Sequence, residues 1–332
     1  MFYSAHTVRS KEGRRLLEKF RFIGCLLGGA YGDAVGAGVE FLSRRDIVKK
    51  YPDGVGLTGF PGMGIHSITD DTQQTLAVCE GLLEIIRKGV EDPLMDHVWS
   101  ALKRWRRRQD QPRYSRAPGY TSLTALQEDA PGTFEHPLNS SDSCGGVMRA
   151  HPVGLYHHRF PVRAYDAGMQ SAVITHGSPE AYVPAGMLAA TIALTSAGCT
   201  LDTALRHTLR IARARGHVET LAYKMAERAL EDDPVLVDID SYGCGWDGNE
   251  SFAMAIHAAR RHPGNLVAGC SYAAAIDGDS DSVASTTGAI IGSMLRADQL
   301  PRECSALELA RSLTRCAESL HQHSRETSRL AA

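Results

Sequence analysis

No two of the eight cysteines (Cys25, Cys79, Cys144, Cys199, Cys244, Cys270, Cys304 and Cys316) stand in a CxxC pair. In a chain of 332 residues that scatter argues against a disulfide framework and against zinc; it reads as free thiols in a reducing cytosol. An excess of charge of either sign is also lacking. There are 36 Lys and Arg against 38 Asp and Glu, a formal net charge of −2, so nothing global draws the chain to nucleic acid or an anionic membrane. Long apolar runs are missing, because Gly, Ser or Thr interrupts each one before it reaches a membrane span. The opening stretch "MFYSAHTVRSKEGRRLLEKF" is basic and polar, without the apolar centre of a signal peptide, and a cytoplasmic protein is expected. Alternating strand patterns are scarce.

Helical periodicity fills that space. "TLAVCEGLLEIIRKG" puts Leu76, Cys79, Leu82, Leu83 and Ile86 on one face and stops at Gly89. "HVWSALKRWRRRQ" places Val98, Leu102 and Trp105 at helical spacing, and "TLDTALRHTLRIARARG" opens on a Thr or Asp cap. "AYVPAGMLAATIALTSAG" is apolar on most sides and predicts a central helix; four more helical stretches follow toward the C-terminus. The expected fold is all-α, one compact helical domain, with a polar tail over 321–332. "GCLLGGAYGDAVGAGVEF" holds Gly24, Gly28, Gly29, Gly32, Gly36 and Gly38; Gly and Ala at spacings of three and four let helix axes approach closely, and Asp33 and the short length argue against a membrane helix. The run "KRWRRR" at 103–108 reads as a solvated helix face, the alternative being a dock for an acidic partner.

Two acidic stretches carry the chemistry. In "SITDDTQQTL", Thr69, Asp70 and Asp71 precede a helix; capping and the helix dipole explain one acid there, but not two. "DGDSDS" at 277–282 sits between apolar flanks, where unpaired carboxylates are costly. Carboxylates with hydroxyls are hard oxygen donors, suited to Mg²⁺, Mn²⁺ or Ca²⁺. An EF-hand loop fails, because its glycine and glutamate positions hold Ser282 and Gly288. A DxDx(T/V) phosphatase reading at Asp279–Val283 is weak, because it needs a buried strand before the first Asp. If the two clusters face each other, Asp70, Asp71, Asp279 and Asp281 could bridge two divalent ions about 3.5–4 Å apart.

Five stretches in order, "GAYGDAVGAGVEF", "TDDTQQTL", "CGGVMRAHPVGL", "THGSPEAY" and "DGDSDSVASTTGAIIG", resemble the ADP-ribosylglycohydrolases, and the resemblance runs from about residue 22 to 298. It implies an all-α fold around a dinuclear centre of two divalent cations, Mg²⁺ or else Mn²⁺. The ligands it implies are Thr69, Asp70, Asp71, Asp279, Asp281 and Ser282, where the family often has Thr in the last position. Glu40 matches an acidic residue entering the site from the first loop and becomes the acid–base candidate, with Asp70 or Asp71 assisting. Asp277 is expected beside the site. Ser143, Cys144, Gly145 and Gly146 match a loop that wraps phosphates and ribose, with Cys144 where Asn is common. His176 matches a family histidine near the substrate, although a lone His is more often structural. Trp246, in "GCGWDGNESF", matches a loop over the distal ribose, and core packing is its other reading.

The implied reaction is hydrolysis of the N- or O-glycosidic bond between ADP-ribose and a modified protein side chain, arginine first. A second class is open: an immunity protein that neutralises an ADP-ribosyltransferase toxin, with residues 1–21 as an N-terminal extension serving as its arm. Release of phosphate instead of ADP-ribose would indicate a metal-dependent phosphohydrolase. Neither nucleic acid nor membrane is expected as a partner.

Overall fold

The computed structural model describes residues 11–89 and 94–330, and among these there is no strand. Fourteen α-helices follow in order: α1 Lys11–Gly36, α2 Arg44–Lys50, α3 Asp70–Lys88, α4 Leu94–Arg108, α5 Tyr120–Ala125, α6 His151–Tyr156, α7 Pro161–Val173, α8 Pro179–Ala197, α9 Leu201–Ala214, α10 Leu221–Glu231, α11 Gly248–Arg261, α12 Leu266–Ala274, α13 Ser280–Gly292 and α14 Ala310–Leu330. Local signals set many of the ends. Thr69 caps α3 by accepting from the Asp71 N–H, and Gly89 closes it in the left-handed region at φ 62°. Thr200 caps α9 by accepting from Thr203 N–H. α8 is apolar nearly all round and lies buried in the middle of the bundle, as its composition predicts.

The packing that positions the site is the antiparallel pair α1 and α13. Gly24 faces Gly292, Gly28 faces Gly288, Gly32 faces Ala284, and Gly36 faces Asp281, backbone against backbone. A Cβ at any of these four would stand inside the van der Waals shell of the opposite main chain. The glycine spacing is therefore a helix-packing device in the buried core. It lays the C-terminal end of α1 against the N-terminal end of α13.

At both ends of the chain the described residues are helical. Residues 1–10 of the expected extension lie outside the described residues, and 11–21 are continuous with α1. Glu18, within that stretch, is buried and accepts from His158 Nε2 at 2.7 Å and Arg159 Nη2 at 2.6 Å. The expected start of the tail falls inside α14, where His321 and Ser324 are buried. Neither boundary, at 21/22 or at 320/321, coincides with a break in the chain. Of the basic run on α4, Lys103 and Arg106 donate to the carbonyls of Glu128 and Leu123, and Trp105 is buried beneath. All eight cysteines are free.

Candidate metal centre and active site

The two acidic stretches are the N-termini of α3 and α13, and the fold turns those ends toward each other. Asp279 is the N-cap of α13, accepting from Ser282 N–H at 3.2 Å, as Thr69 is of α3. The capping reading of Thr69 is thus correct, and the same geometry turns the capping side chains toward the other acids. Ser282 Oγ donates to Asp71 Oδ1 at 3.4 Å across 211 positions of sequence, and the Thr69 hydroxyl hydrogen-bonds Asp281. Glu40 enters from the turn after α1. Oxygens of Glu40, Asp279 and Asp281 lie within 4.8 Å of one another. Asp70 completes the group, its Oδ2 accepting from Gln74 Nε2 at 2.6 Å.

Asp33, which the sequence reading did not place in the site, belongs to it. It is fully buried and accepts from Thr69 N–H at 3.0 Å, Thr72 N–H at 3.1 Å and the Thr72 hydroxyl at 2.5 Å. Asp33 thus pins the start of α3 to the end of α1. Arg149, also fully buried, donates to Gln74 Oε1 and Thr175 Oγ1, so a chain of bonds runs from Arg149 through Gln74 to Asp70. Arg116 holds the other side, donating to Ile68 C=O at 3.1 Å and to Glu308. The one sequence signal for Asp33 was a lone acid in an apolar, glycine-rich helix.

Six buried carboxylates, Asp33, Glu40, Asp70, Asp71, Asp279 and Asp281, therefore share one small volume. None makes an ion pair with Lys or Arg among the described residues. Charges held within 4.8 Å repel by about 3.5 kcal/mol per pair at an effective dielectric of about 20. Their acidities record this. Burial first, then Asp281 and the other carboxylates, pushes Glu40 up to about 10. Burial and Asp281 push Asp33 up to about 7, and burial with neighbouring carboxylates raises Asp70, Asp71 and Asp281. Asp279 is also raised by burial. Asp71 Oδ2 is buried with no hydrogen-bond partner. An all-oxygen set with excess negative charge and an orphaned carboxylate oxygen fits hard divalent cations, which would invert these shifts.

The ADP-ribosylglycohydrolase family profile matches residues 15–329. The chain belongs to the ADP-ribosylglycohydrolase family. That makes it a member of a family of glycosyl-bond hydrolases, generally dependent on divalent metal, with an acidic cluster in place to meet that need. A protein of Archaeoglobus fulgidus (strain ATCC 49558 / DSM 4304 / JCM 9628 / NBRC 100126 / VC-16), described as uncharacterized, is 30% identical over 297 residues, 83% of this chain and 87% of its own. A solved chain titled "ADP-ribosylglycohydrolase-related protein complex" superposes with a TM-score of 0.68, covering 93% of this chain and 99% of its own; at 24% identity this is a likeness of fold.

The other expected site residues of this family member spread out. Cys144 reaches the carboxylate cluster, its Sγ donating to Asp279 Oδ2 at 2.8 Å. Ser143 pairs with Asp247 through an isolated bridge. Gly145 and Gly146 pack downward: a Cβ on Gly145 would meet the His176 ring, and one on Gly146 would meet Ala172. His176 is buried under this loop, bonded to the Thr175 hydroxyl at 2.7 Å and pushed down to about 3 by burial and Arg149. The structure thus places His176 as a support for the loop. Trp246 is exposed and stacks on Phe41. Asp277 is exposed and accepts from Arg44 N–H at 2.7 Å, which ties α2 to the α13 loop. No helix of the described residues is long and apolar enough to cross a membrane.

Proposed function

We propose that this protein removes ADP-ribose from modified protein side chains, arginine first, by hydrolysing the glycosidic bond at the distal ribose. The observation that carries the reading is the convergence of Glu40, Asp279 and Asp281 on one point, faced by Thr69, Asp70, Asp71 and Ser282. These residues would hold two divalent cations, Mg²⁺ or Mn²⁺, which when bound supply Lewis-acid polarisation and fix the ribose hydroxyls. Glu40 is the acid–base group. As the bond from C1 to the acceptor breaks and water oxygen bonds to C1, Glu40 takes up one proton of that water and passes it to the departing nitrogen, so that C1 keeps the hydroxyl and Glu40 returns to its starting state. Asp70, steadied by Gln74, assists in orienting the water. The loop at Ser143–Gly146, seated on His176 and Ala172, presents main chain toward the pyrophosphate. Neutralisation of an ADP-ribosyltransferase toxin is the second reading; its proposed arm is reduced by the commitment of residues 11–21 to α1.

The test is ADP-ribose release from arginine-, serine- and nucleic-acid-linked substrates, with Mg²⁺ and with EDTA. Release should need the metal and be fastest from arginine. Asp279→Ala and Asp281→Ala should each abolish it while the helical circular dichroism signal survives. No metal-dependent release from any linkage would sink the proposal.

A further inference from the structure

Two loops bring one aromatic ring each to the rim of the carboxylate cluster. Phe41 directly follows Glu40 and is 76% exposed; Trp246 is 42% exposed. Their rings stack with centroids 6.0 Å apart and planes 22° from parallel. Trp246 is held against the cluster, because its C=O accepts from Cys144 N–H at 2.9 Å and a Cβ on the preceding Gly245 would touch Asp279. Glu250 fixes the same loop by accepting from the Cys244 and Gly245 N–H groups, both at 3.0 Å. The other ring is anchored through α2, whose first N–H is bound to Asp277.

Negative charge surrounds the pair. Asp247 follows Trp246, and its acidity is weakened by burial and then by Asp142 and Glu250. Among the described residues none of these three acids joins an ion pair. A flat aromatic pair in a field of unpaired carboxylates matches a flat cation.

We infer that Phe41 and Trp246 form a stacked platform on which the acceptor side chain lies, and that it selects a guanidinium. This rests on the ADP-ribose-releasing reading above, and it names the residues that choose the substrate. With the anomeric carbon against Glu40, Asp279 and Asp281, the acceptor leaves past the two rings. A guanidinium stacks face-on and is drawn to a ring within about 6 Å of its centroid. A serine linkage offers neither the plane nor the charge.

The test compares kcat/KM on arginine-linked and serine-linked ADP-ribosyl peptides for the wild-type protein, Phe41→Ala, Trp246→Ala and Trp246→Phe. Calorimetric titration with free ADP-ribose reports whether the nucleotide side is intact. The arginine-to-serine ratio should exceed one in the wild type and fall at least tenfold in each alanine variant, mainly through KM, and Trp246→Phe should restore most of it. An unchanged ratio in the alanine variants overturns the inference, as does a wild-type preference for serine. So does a collapse of free ADP-ribose affinity, which would put the rings on the nucleotide side. A wild-type protein silent on every linkage is a separate failure: it removes the parent activity and this inference together.

Discussion

Gln74 shows how a neutral side chain enters a charged site. Its amide N–H donates to Asp70, while its carbonyl is held by the buried Arg149 guanidinium. The amide therefore fixes the Asp70 carboxylate without neutralising it. Supports of this kind typically govern metal affinity by about 10–100-fold. Gln74→Ala is expected to weaken Mg²⁺ binding in that range, read by calorimetry, with the helical signal unchanged; unaltered affinity would make the chain of bonds irrelevant to the metal. The carboxylates and hydroxyls proposed as ligands at 69–71 and 279–282 were readable as close-set oxygen donors in sequence. Asp33, Gln74 and Arg149 were not, because a single polar residue in an apolar context has no local pattern to distinguish a pin from a surface charge.

At the scale of elements, the glycines of α1 decide where the acids go. Gly32 faces the Ala284 carbonyl with no room for a methyl group. Gly32→Ala must push α1 and α13 apart, and overpacking of this kind costs about 1–3 kcal/mol. Urea denaturation should show that loss, and ADP-ribose release should fall as Asp33 and Asp281 separate. Gly56→Ala, with nothing near its Cβ and no left-handed φ, is the control and should be neutral. A Gly32→Ala protein as stable as the control would mean the seam is loose. The long amphipathic helices α3, α4 and α9 were legible from periodicity. The short α2, α5 and α6 escaped because so few turns cannot establish a period; α2 has a local cap in Ser43, and Asp277 accepts a further N–H from its first residue. α14 begins only at Ala310, since Leu309 takes a left-handed φ of 65° and breaks the helix that the pattern starts near Ser305.

For the whole molecule, the buried acids tie stability to cations and pH. An acid whose pKa is raised by folding keeps a proton that the unfolded chain, near pKa 4, has released. The metal-free fold should therefore be most stable in acid and lose stability as pH rises through Asp33 at about 7 and toward Glu40 at about 10. Divalent cations compete with those protons, so their stabilisation should grow with pH. At 100-fold excess over Kd, each site should add about 2.7 kcal/mol. Thermal melts between pH 6 and 9 in EDTA and in Mg²⁺ check this: Tm should fall with pH in EDTA, and the gap between the two curves should widen. A rising Tm in EDTA, or no shift with Mg²⁺ or Mn²⁺, would contradict the cation site.

By itself the sequence determined the helical class, the close-packing seam and the hard-oxygen chemistry of the two acidic loops. Each of those is written in spacings of a few residues, where backbone geometry alone relates one side chain to the next. Only the tertiary structure decided that Glu40 meets Asp279 and Asp281, that Asp277 turns away to accept from Arg44 N–H, that His176 lies against the Gly145 loop, and that Phe41 finds Trp246. One of those relations spans about thirty positions and the others more than two hundred. They are fixed by which helix faces fit together, and the steric fit of α1 on α13 is what brings two acidic chain segments into one buried volume.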